Sequence, residues 1–278
     1  MTRQTGADLL PNAITRLKNA GVPDPARDAR RLLSHALGCA PDRLLLHTHD
    51  KMSHKQRARF DDALAAREAR QPVSHILGFR EFFGRRFDVN KHVLDPRPET
   101  ETLVEEALKH NFQSVLDLGT GSGAILLSLL AERPQTSGVG VDISEDALSV
   151  AKHNAAKLGL EERVEWLQSD WLQNVDGRYD LIVCNPPYID NAVYEVLDPE
   201  PRNWEPRIAL TPGEDGLQVY RVLAPRLFGH LKPGGRVLFE IGYDQGARVS
   251  ALLSEAGFGN VGILQDLDTR DRVVWASI

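Results

Sequence analysis

The apolar positions of the chain change period twice. Over residues 7–70 they recur at helical spacing: Leu9, Leu10, Ala13, Ile14 and Leu17 share one face, and Gly21 follows as a stop. Asp24 and Pro25 are a cap and a first-turn proline, behind which Ala29, Leu32, Leu33, Ala36 and Leu37 form a second stripe closed by Gly38. Ser53 and Gln56 have capping-box spacing ahead of Phe60 and Leu64. These residues predict a small helical bundle. Pro72 ends it, and over 74–89 the spacing turns irregular, with Phe79, Phe82, Phe83 and Phe87 set among Gly78, Gly84 and charges; this predicts a β-hairpin. Pro96 and Pro98 keep the next segment extended, and Pro98 can open a helix over 99–109.

From residue 114 strand and helix alternate. Strands are predicted at 114–118, 137–142, 164–168, 179–184, 236–241, 261–264 and 272–276, with helices near 124–132, 145–157, 217–228 and 244–256. Such alternation makes an α/β fold around a mostly parallel, Rossmann-like sheet. Residues 265–271 are too few for a crossover helix, so the last of the seven strands should run antiparallel to the sixth. The resulting division is a helical domain at 1–72, a hairpin and linker at 73–97 and an α/β domain at 98–278.

Composition narrows the class. At 42% hydrophobic and 26% charged residues the chain reads as an ordinary globular protein. Its longest apolar run, 124–131 with a serine inside, is too short to span a bilayer, and the first residues lack the apolar core of a secretion signal. Cys39 and Cys184 supply neither a disulfide framework nor a zinc site, and His47, His49 and His54 have no accompanying ligands, so no metal is expected. Residues 1–90 hold 16 Lys/Arg against 10 Asp/Glu, hence +6; residues 91–278 hold 17 against 29, hence −12. This is either two differently composed solvated faces or a first domain that meets an acidic macromolecule. A half at −12 is poorly suited to gripping a DNA backbone.

Two stretches carry chemistry. The first is Asp117-Leu118-Gly119-Thr120-Gly121-Ser122-Gly123, a glycine-rich turn between a strand and a helix, followed 19 residues after Gly123 by Asp142 at the end of the next strand. Glycines permit a tight turn and close ligand approach, and an acid at that place can hold a ribose diol. An adenosine-containing cofactor fits; a purely structural turn and a nicotinamide site stay open at this point. Asp170 and Trp171, after the third strand, can hold an adenine by its amino group and its face, with Trp171 as plain core the other reading. Cys184 reads as a small buried strand residue rather than a nucleophile.

The second is Asn185-Pro186-Pro187-Tyr188, directly after the apolar run Leu181-Ile182-Val183-Cys184. A run without alternation predicts a strand buried on both faces, and the two prolines make a stiff loop at its C-terminal end, where open α/β sheets bind ligands. The Asn185 side-chain oxygen and the Pro186 carbonyl are two acceptors for the two N–H bonds of a planar –NH2, and the Tyr188 ring can cover a flat substrate. Such a nitrogen is a weak nucleophile, so orientation toward an activated methyl would carry the rate; effective molarities from positioning reach about 10⁵–10⁸ M. The motif contains no His or Lys base, and none is needed, because a methylated cationic amide loses its proton readily to water.

On these stretches the chain resembles the S-adenosylmethionine-dependent methyltransferases of seven-strand type, and more narrowly the HemK-type release factor glutamine methyltransferases. Further matching residues are Gln71 to Gly78, Arg80 to Gly84, Pro96 to Glu101, Glu205-Pro206-Arg207, Gly213 to Leu217, Glu240-Ile241-Gly242 and Asp271 to Val274. The resemblance implies transfer of a methyl group from S-adenosylmethionine, leaving S-adenosylhomocysteine, to the side-chain amide nitrogen of the glutamine in the Gly-Gly-Gln motif of peptide chain release factors. It implies cofactor contacts from Gly119, Thr120, Gly121, Ser122, Gly123, Asp142, Asp170, Trp171 and Asn185, and a substrate grip from Asn185, Pro186, Pro187 and Tyr188. The helical domain would dock the release factor body. Asp95 stands where that family usually has an apolar residue, and Arg97 and Glu99 are open between a rigid-linker role and a ligand role. A DNA adenine-N6 methyltransferase is the alternative, although no target-recognition insert or strongly basic groove is evident. The enzyme is expected to act as a cytoplasmic monomer, without DNA or membrane partners.

Overall fold

The structure is a computed structural model that describes residues 4–278; residues 1–3, on which the reading of the chain's start partly rests, lie outside the described residues. Five helices come first: α1 (Gly6–Asn19), α2 (Pro25–Leu37), α3 (Leu44–His47), α4 (His54–Glu68) and α5 (Val73–Leu77). Their ends carry the predicted caps. Asp24 accepts the Arg27 N–H at 3.2 Å ahead of Pro25, and α2 stops on Gly38 at φ 75°. Ser53 and Gln56 close a reciprocal capping box on α4, a device worth about 1 kcal/mol. Leu9, Leu17, Leu32, Leu33, Phe60 and Leu64 are buried together, whereas Leu10 and Ile14 of the predicted stripe are only partly covered.

The hairpin begins later than predicted. Pro72 and Gly78 (φ 80°) bracket the five-residue α5, too short to show a helical period in sequence. The paired strands are β1 (Phe79–Phe82) and β2 (Arg85–Asp88), turned by Phe83 and Gly84 at positive φ. After a 3₁₀ turn at Pro98–Thr100 come α6 (Glu101–Leu108), β3 (Ser114–Leu118), α7 (Ala124–Glu132), β4 (Ser137–Asp142), α8 (Glu145–Leu158), β5 (Val164–Gln168) and β6 (Tyr179–Cys184). Two unpredicted short helices follow, α9 (Asn191–Tyr194) and α10 (Pro199–Trp204), then α11 (Gln218–Leu223), β7 (Leu231–Glu240), α12 (Gly246–Glu255), β8 (Asn260–Gln265) and β9 (Asp271–Ser277). The single helix expected over 217–228 breaks into α11 and a 3₁₀ stretch at Ala224–His230, where Pro225 lacks the N–H that an α-helix needs.

The chain forms two compact units. One comprises residues through Gly78 together with Asp198–Trp204; the other comprises Phe79–Leu197 and Glu205–Ile278. Within the first, Glu200 receives Arg70 at 2.7 and 2.6 Å and Arg67 at 2.8 Å, which ties a segment from late in the sequence to the helices.

In the second unit the seven strands lie in the order β5-β4-β3-β6-β7-β9-β8. The first five are parallel, and β9 runs antiparallel to both of its neighbours, as the short 265–271 connection requires. Strand β6 is buried on both faces: Ile182 and Cys184 pack with Leu116, Leu118 and Phe239 on one side, Leu181 and Val183 with Val115 and Leu126 on the other. The order reverses between β3 and β6. At such a switch point the loops leaving the carboxyl ends diverge and open a crevice. The glycine-rich loop leaves β3 there, and Asn-Pro-Pro-Tyr leaves β6.

Candidate active site

Three glycines shape the loop after β3. Gly119, Gly121 and Gly123 sit at φ 72°, 55° and 79°, a region that other residues rarely adopt. The Gly119 and Thr120 N–H groups donate to the Val141 carbonyl at 2.8 Å, which pins the loop to β4. The Gly121 N–H donates to Asp142 Oδ2 at 2.9 Å, and the Ser144 N–H donates to Oδ1 at 3.0 Å. Burial pushes the Asp142 carboxyl up from its usual range, while the N–H groups of Ser144, Gly121 and Ile143 oppose the shift.

These groups border a cavity of about 450 Å³, a size typical of a small-molecule site. Of the predicted residues, Gly119, Gly121, Asp142, Asp170, Trp171, Asn185 and Pro187 line it. Trp171 also rests on the core under the sheet, so its two readings are not exclusive. Its backbone is at φ 53°, and its ring lies 3.4 Å from where a Gly119 β-carbon would be.

The remaining predicted residues do not line the cavity. The Thr120 hydroxyl donates to buried Asp117 at 2.6 Å. Ser122 is buried, with its carbonyl taken by Asn154 Nδ2 at 2.9 Å, and Gly123 caps α7. Pro186 is buried. Tyr188, read from sequence as a cover over a flat substrate, instead donates its hydroxyl to Glu240 Oε1 at 3.2 Å and packs its ring on the core. It anchors the loop, and burial beside Glu240 pushes its phenol well above the usual range.

The loop is held from several directions. The Tyr188 carbonyl accepts Gln245 Nε2 at 3.0 Å, and the Ile189 N–H donates to the Leu210 carbonyl at 3.0 Å. Asn185 Nδ2 donates to Thr100 Oγ1 at 3.3 Å. That bond fixes the amide with its nitrogen toward Thr100, and Oδ1 has no protein donor among the described residues. Burial keeps the Cys184 thiol well above its ordinary range, unsuited to nucleophilic work.

Several participants escaped the sequence reading. Ile143 is 48% exposed on the cavity wall; its signal was an apolar residue directly after the strand-ending acid. Thr100 and Glu240 lay inside matched stretches without an assigned role. Arg97 makes an ion pair, with Nη2 at 2.8 and 2.6 Å from the two oxygens of Glu205. Asp95 is buried with Arg80 at 3.8 Å, so a counter-charge replaces the apolar packing expected there.

The sheet order and the crevice between the two loops define the methyltransferase fold. The hMettl16 catalytic domain in complex with a MAT2A 3′UTR hairpin aligns with a TM-score of 0.58, 20% identity, 78% of this chain and 82% of that one. A methyltransferase from Pyrococcus furiosus aligns with a TM-score of 0.54, 16% identity, 70% of this chain and 90% of that one. Family models match at residues 8–78, as the PrmC N-terminal domain, and at 93–197, as the methyltransferase small domain. The release factor glutamine methyltransferase of Cereibacter sphaeroides is 53% identical over 98% of each chain, and that of Caulobacter vibrioides is 48% identical over 93% of this chain and 91% of its own. The chain belongs to the release factor glutamine methyltransferase family.

Proposed function

We propose that this protein methylates the side-chain amide nitrogen of the glutamine in the Gly-Gly-Gln motif of peptide chain release factors, with S-adenosylmethionine as donor. The observation that carries the reading is Asn185: it lines the cavity with Gly121 and Asp142, its amide nitrogen is tied to Thr100, and its oxygen has no protein donor among the described residues. The cavity fits an adenosine-bearing group. The open glycine turn leaves room for close approach, Asp142 offers acceptor oxygens, and Ile143 and Trp171 supply apolar surface.

When bound, S-adenosylmethionine supplies an electrophilic methyl group. The chain's own residues do the rest by orientation. Asn185 Oδ1 accepts one N–H of the substrate amide, and the Pro186 carbonyl is assigned the other, so the nitrogen is held with one face toward the cavity. The prolines keep both acceptors fixed, which lowers the entropy cost of the encounter. The proton released after transfer goes to water. The helical unit, with its positive balance, is assigned to docking the release factor body, and the cytoplasm is the compartment where that substrate acts.

The test incubates the full chain with methyl-labelled S-adenosylmethionine and, separately, a release factor and adenine-containing DNA. Label on the Gly-Gly-Gln glutamine, found by peptide mapping, is the expected result. Label entering DNA alone overturns the substrate assignment.

A further inference from the structure

Among the described residues of the second unit, five large apolar side chains are more than half exposed: Val193, Val196, Ile208, Tyr243 and Leu267. All five sit in segments that leave the carboxyl ends of strands. Val193, Val196 and Ile208 follow β6, Tyr243 follows β7, and Leu267 lies in the turn from β8 to β9. Because β7 and β8 are both antiparallel to β9, that turn lies on the same edge as the Asn-Pro-Pro-Tyr loop. Ile278, at the opposite edge, is better covered. Single apolar residues scattered over a surface need no explanation, but their gathering at the edge that holds the site does.

Tyr243 and Leu267 are mounted on backbone that is tied to that loop. Gln245 Nε2 donates to the Tyr188 carbonyl at 3.0 Å, and Gln245 Oε1 accepts the Gly242 N–H at 3.0 Å, which fixes the turn carrying Tyr243. Beside it the Ile241 N–H donates to the Arg272 carbonyl at 2.9 Å, and Arg272 Nη1 donates back to the Ile241 carbonyl at 3.1 Å. Arg272 Nε also donates to buried Asp266 at 3.1 Å. Asp266 Oδ1 in turn accepts the Asp268 and Arg270 N–H groups at 3.0 and 3.1 Å. Leu267 thus stands on a firmly built turn whose other members are Asp266, Asp268, Thr269 and Arg270, and it gives nothing to the core because its side chain is fully exposed.

We propose that Tyr243 and Leu267 form a shelf for the release factor, receiving apolar groups of the extended segment that flanks the Gly-Gly-Gln glutamine. The inference rests on the substrate reading above and deepens it. Strand order sets the distances. With neighbouring strands about 4.8 Å apart, Tyr243 lies roughly one spacing from the end of β6 and Leu267 roughly two to three, or about 10–14 Å. An extended chain covers that distance in about three to four residues. The two glycines of the motif offer no side chain to hold, and ordering them costs more entropy than ordering other residues. A contact beyond them offsets that cost, and covering two solvated apolar side chains supplies it.

The experiment compares Leu267→Ser, Tyr243→Ser and Leu267→Met with wild type in the full chain, with Ile278→Ser as the control at the opposite edge. It records KM for the release factor, kcat, cofactor Kd by calorimetry and melting temperature. Both serine variants at the shelf are expected to raise KM about fivefold or more, the effect of truncating a contact residue. Their kcat and cofactor Kd should stay within about twofold of wild type, the pattern of lost uniform binding, and their melting temperatures should stay close to it. Leu267→Met keeps an apolar side chain of similar volume, and its KM should stay within about twofold, as should that of Ile278→Ser. Wild-type KM in either shelf serine variant overturns the shelf while the substrate assignment stands. So does a KM in Leu267→Met or Ile278→Ser raised as far as in Leu267→Ser. A wild-type chain that binds S-adenosylmethionine and leaves the release factor unmethylated removes the assignment and the shelf together.

Discussion

Gly216 lies so close to the end of the Asn-Pro-Pro-Tyr loop that a β-carbon added there would sit 2.3 Å from the Tyr188 carbonyl oxygen. Its φ of 70° is also one that side chains rarely adopt. The same carbonyl accepts Gln245 Nε2 at 3.0 Å, so the loop leaves its turn through a slot fitted to bare backbone. Gly216→Ala should displace the loop. We expect a stability loss of about 1–3 kcal/mol, the usual scale of backbone strain, and at least a tenfold loss of turnover. Thermal melts and steady-state assays check both, and wild-type turnover would show that the slot does not set the loop.

Asp142 joins the glycine loop to the mouth of the cavity through its bonds to the Gly121 and Ser144 N–H groups. Replacing it with alanine removes the acceptor assigned to the cofactor and leaves both donors without a partner. Cofactor affinity should fall by about 1.5–3 kcal/mol, the scale of hydrogen bonds to a charged acceptor. Turnover at saturating cofactor should fall far less. Calorimetric titration decides, and an unchanged Kd would take Asp142 out of the site.

Arg97 and Glu205 connect the proline-rich segment before α6 to the region after α10. The Glu205 side chain is 2% exposed and that of Arg97 is 35% exposed. Burial raises the Glu205 carboxyl, with Arg97 the main opposing influence. Arg97→Ala would leave a buried carboxylate without its principal counter-charge. The loss should reach at most about 3 kcal/mol, below the full cost for a buried pair because Arg97 is partly solvated. Arg97→Ala combined with Glu205→Gln should recover part of it. Denaturant unfolding of the single and double variants tests this, and equal losses in both would refute the coupling.

Asp117 and Glu240 give the fold a pH dependence. Burial is the leading cause for both, pushing each to about 7. The folded protein therefore holds these protons above the pH at which the unfolded chain releases them. Their contribution is fully present below the ordinary carboxylate range and is lost as pH rises through about 7. Melting temperature should decline from pH 5 toward pH 8, and Asp117→Asn with Glu240→Gln should flatten the decline. A wild-type melting temperature that rises over that interval would contradict the assignment.

Much of this was legible beforehand because the signals were local. Caps at Asp24 and Ser53, the unbroken run Leu181 to Cys184 and the short 265–271 connection each dictate structure within a few residues. The loops at Gly119 and Asn185 could be placed together because sheet topology, rather than side-chain detail, brings them to one crevice. What the sequence hid was long-range pairing. Nothing near Glu200 announces Arg67 and Arg70, and nothing near Tyr188 announces that its hydroxyl turns inward to Glu240 rather than over a substrate. An acid ending an apolar strand was the available hint. The five-residue α5 was missed because so short a helix has no period to read.

The central claim is that Asn185 holds the substrate nitrogen rather than the cofactor. It is tested most directly by measuring kcat and S-adenosylmethionine affinity together in Asn185→Ala. The account predicts a loss of two or more orders of magnitude in kcat, about 3 kcal/mol or more of transition-state stabilisation, with cofactor Kd within a few-fold of wild type. Wild-type kcat, or a collapse of cofactor binding that accounts for the whole loss, would contradict it.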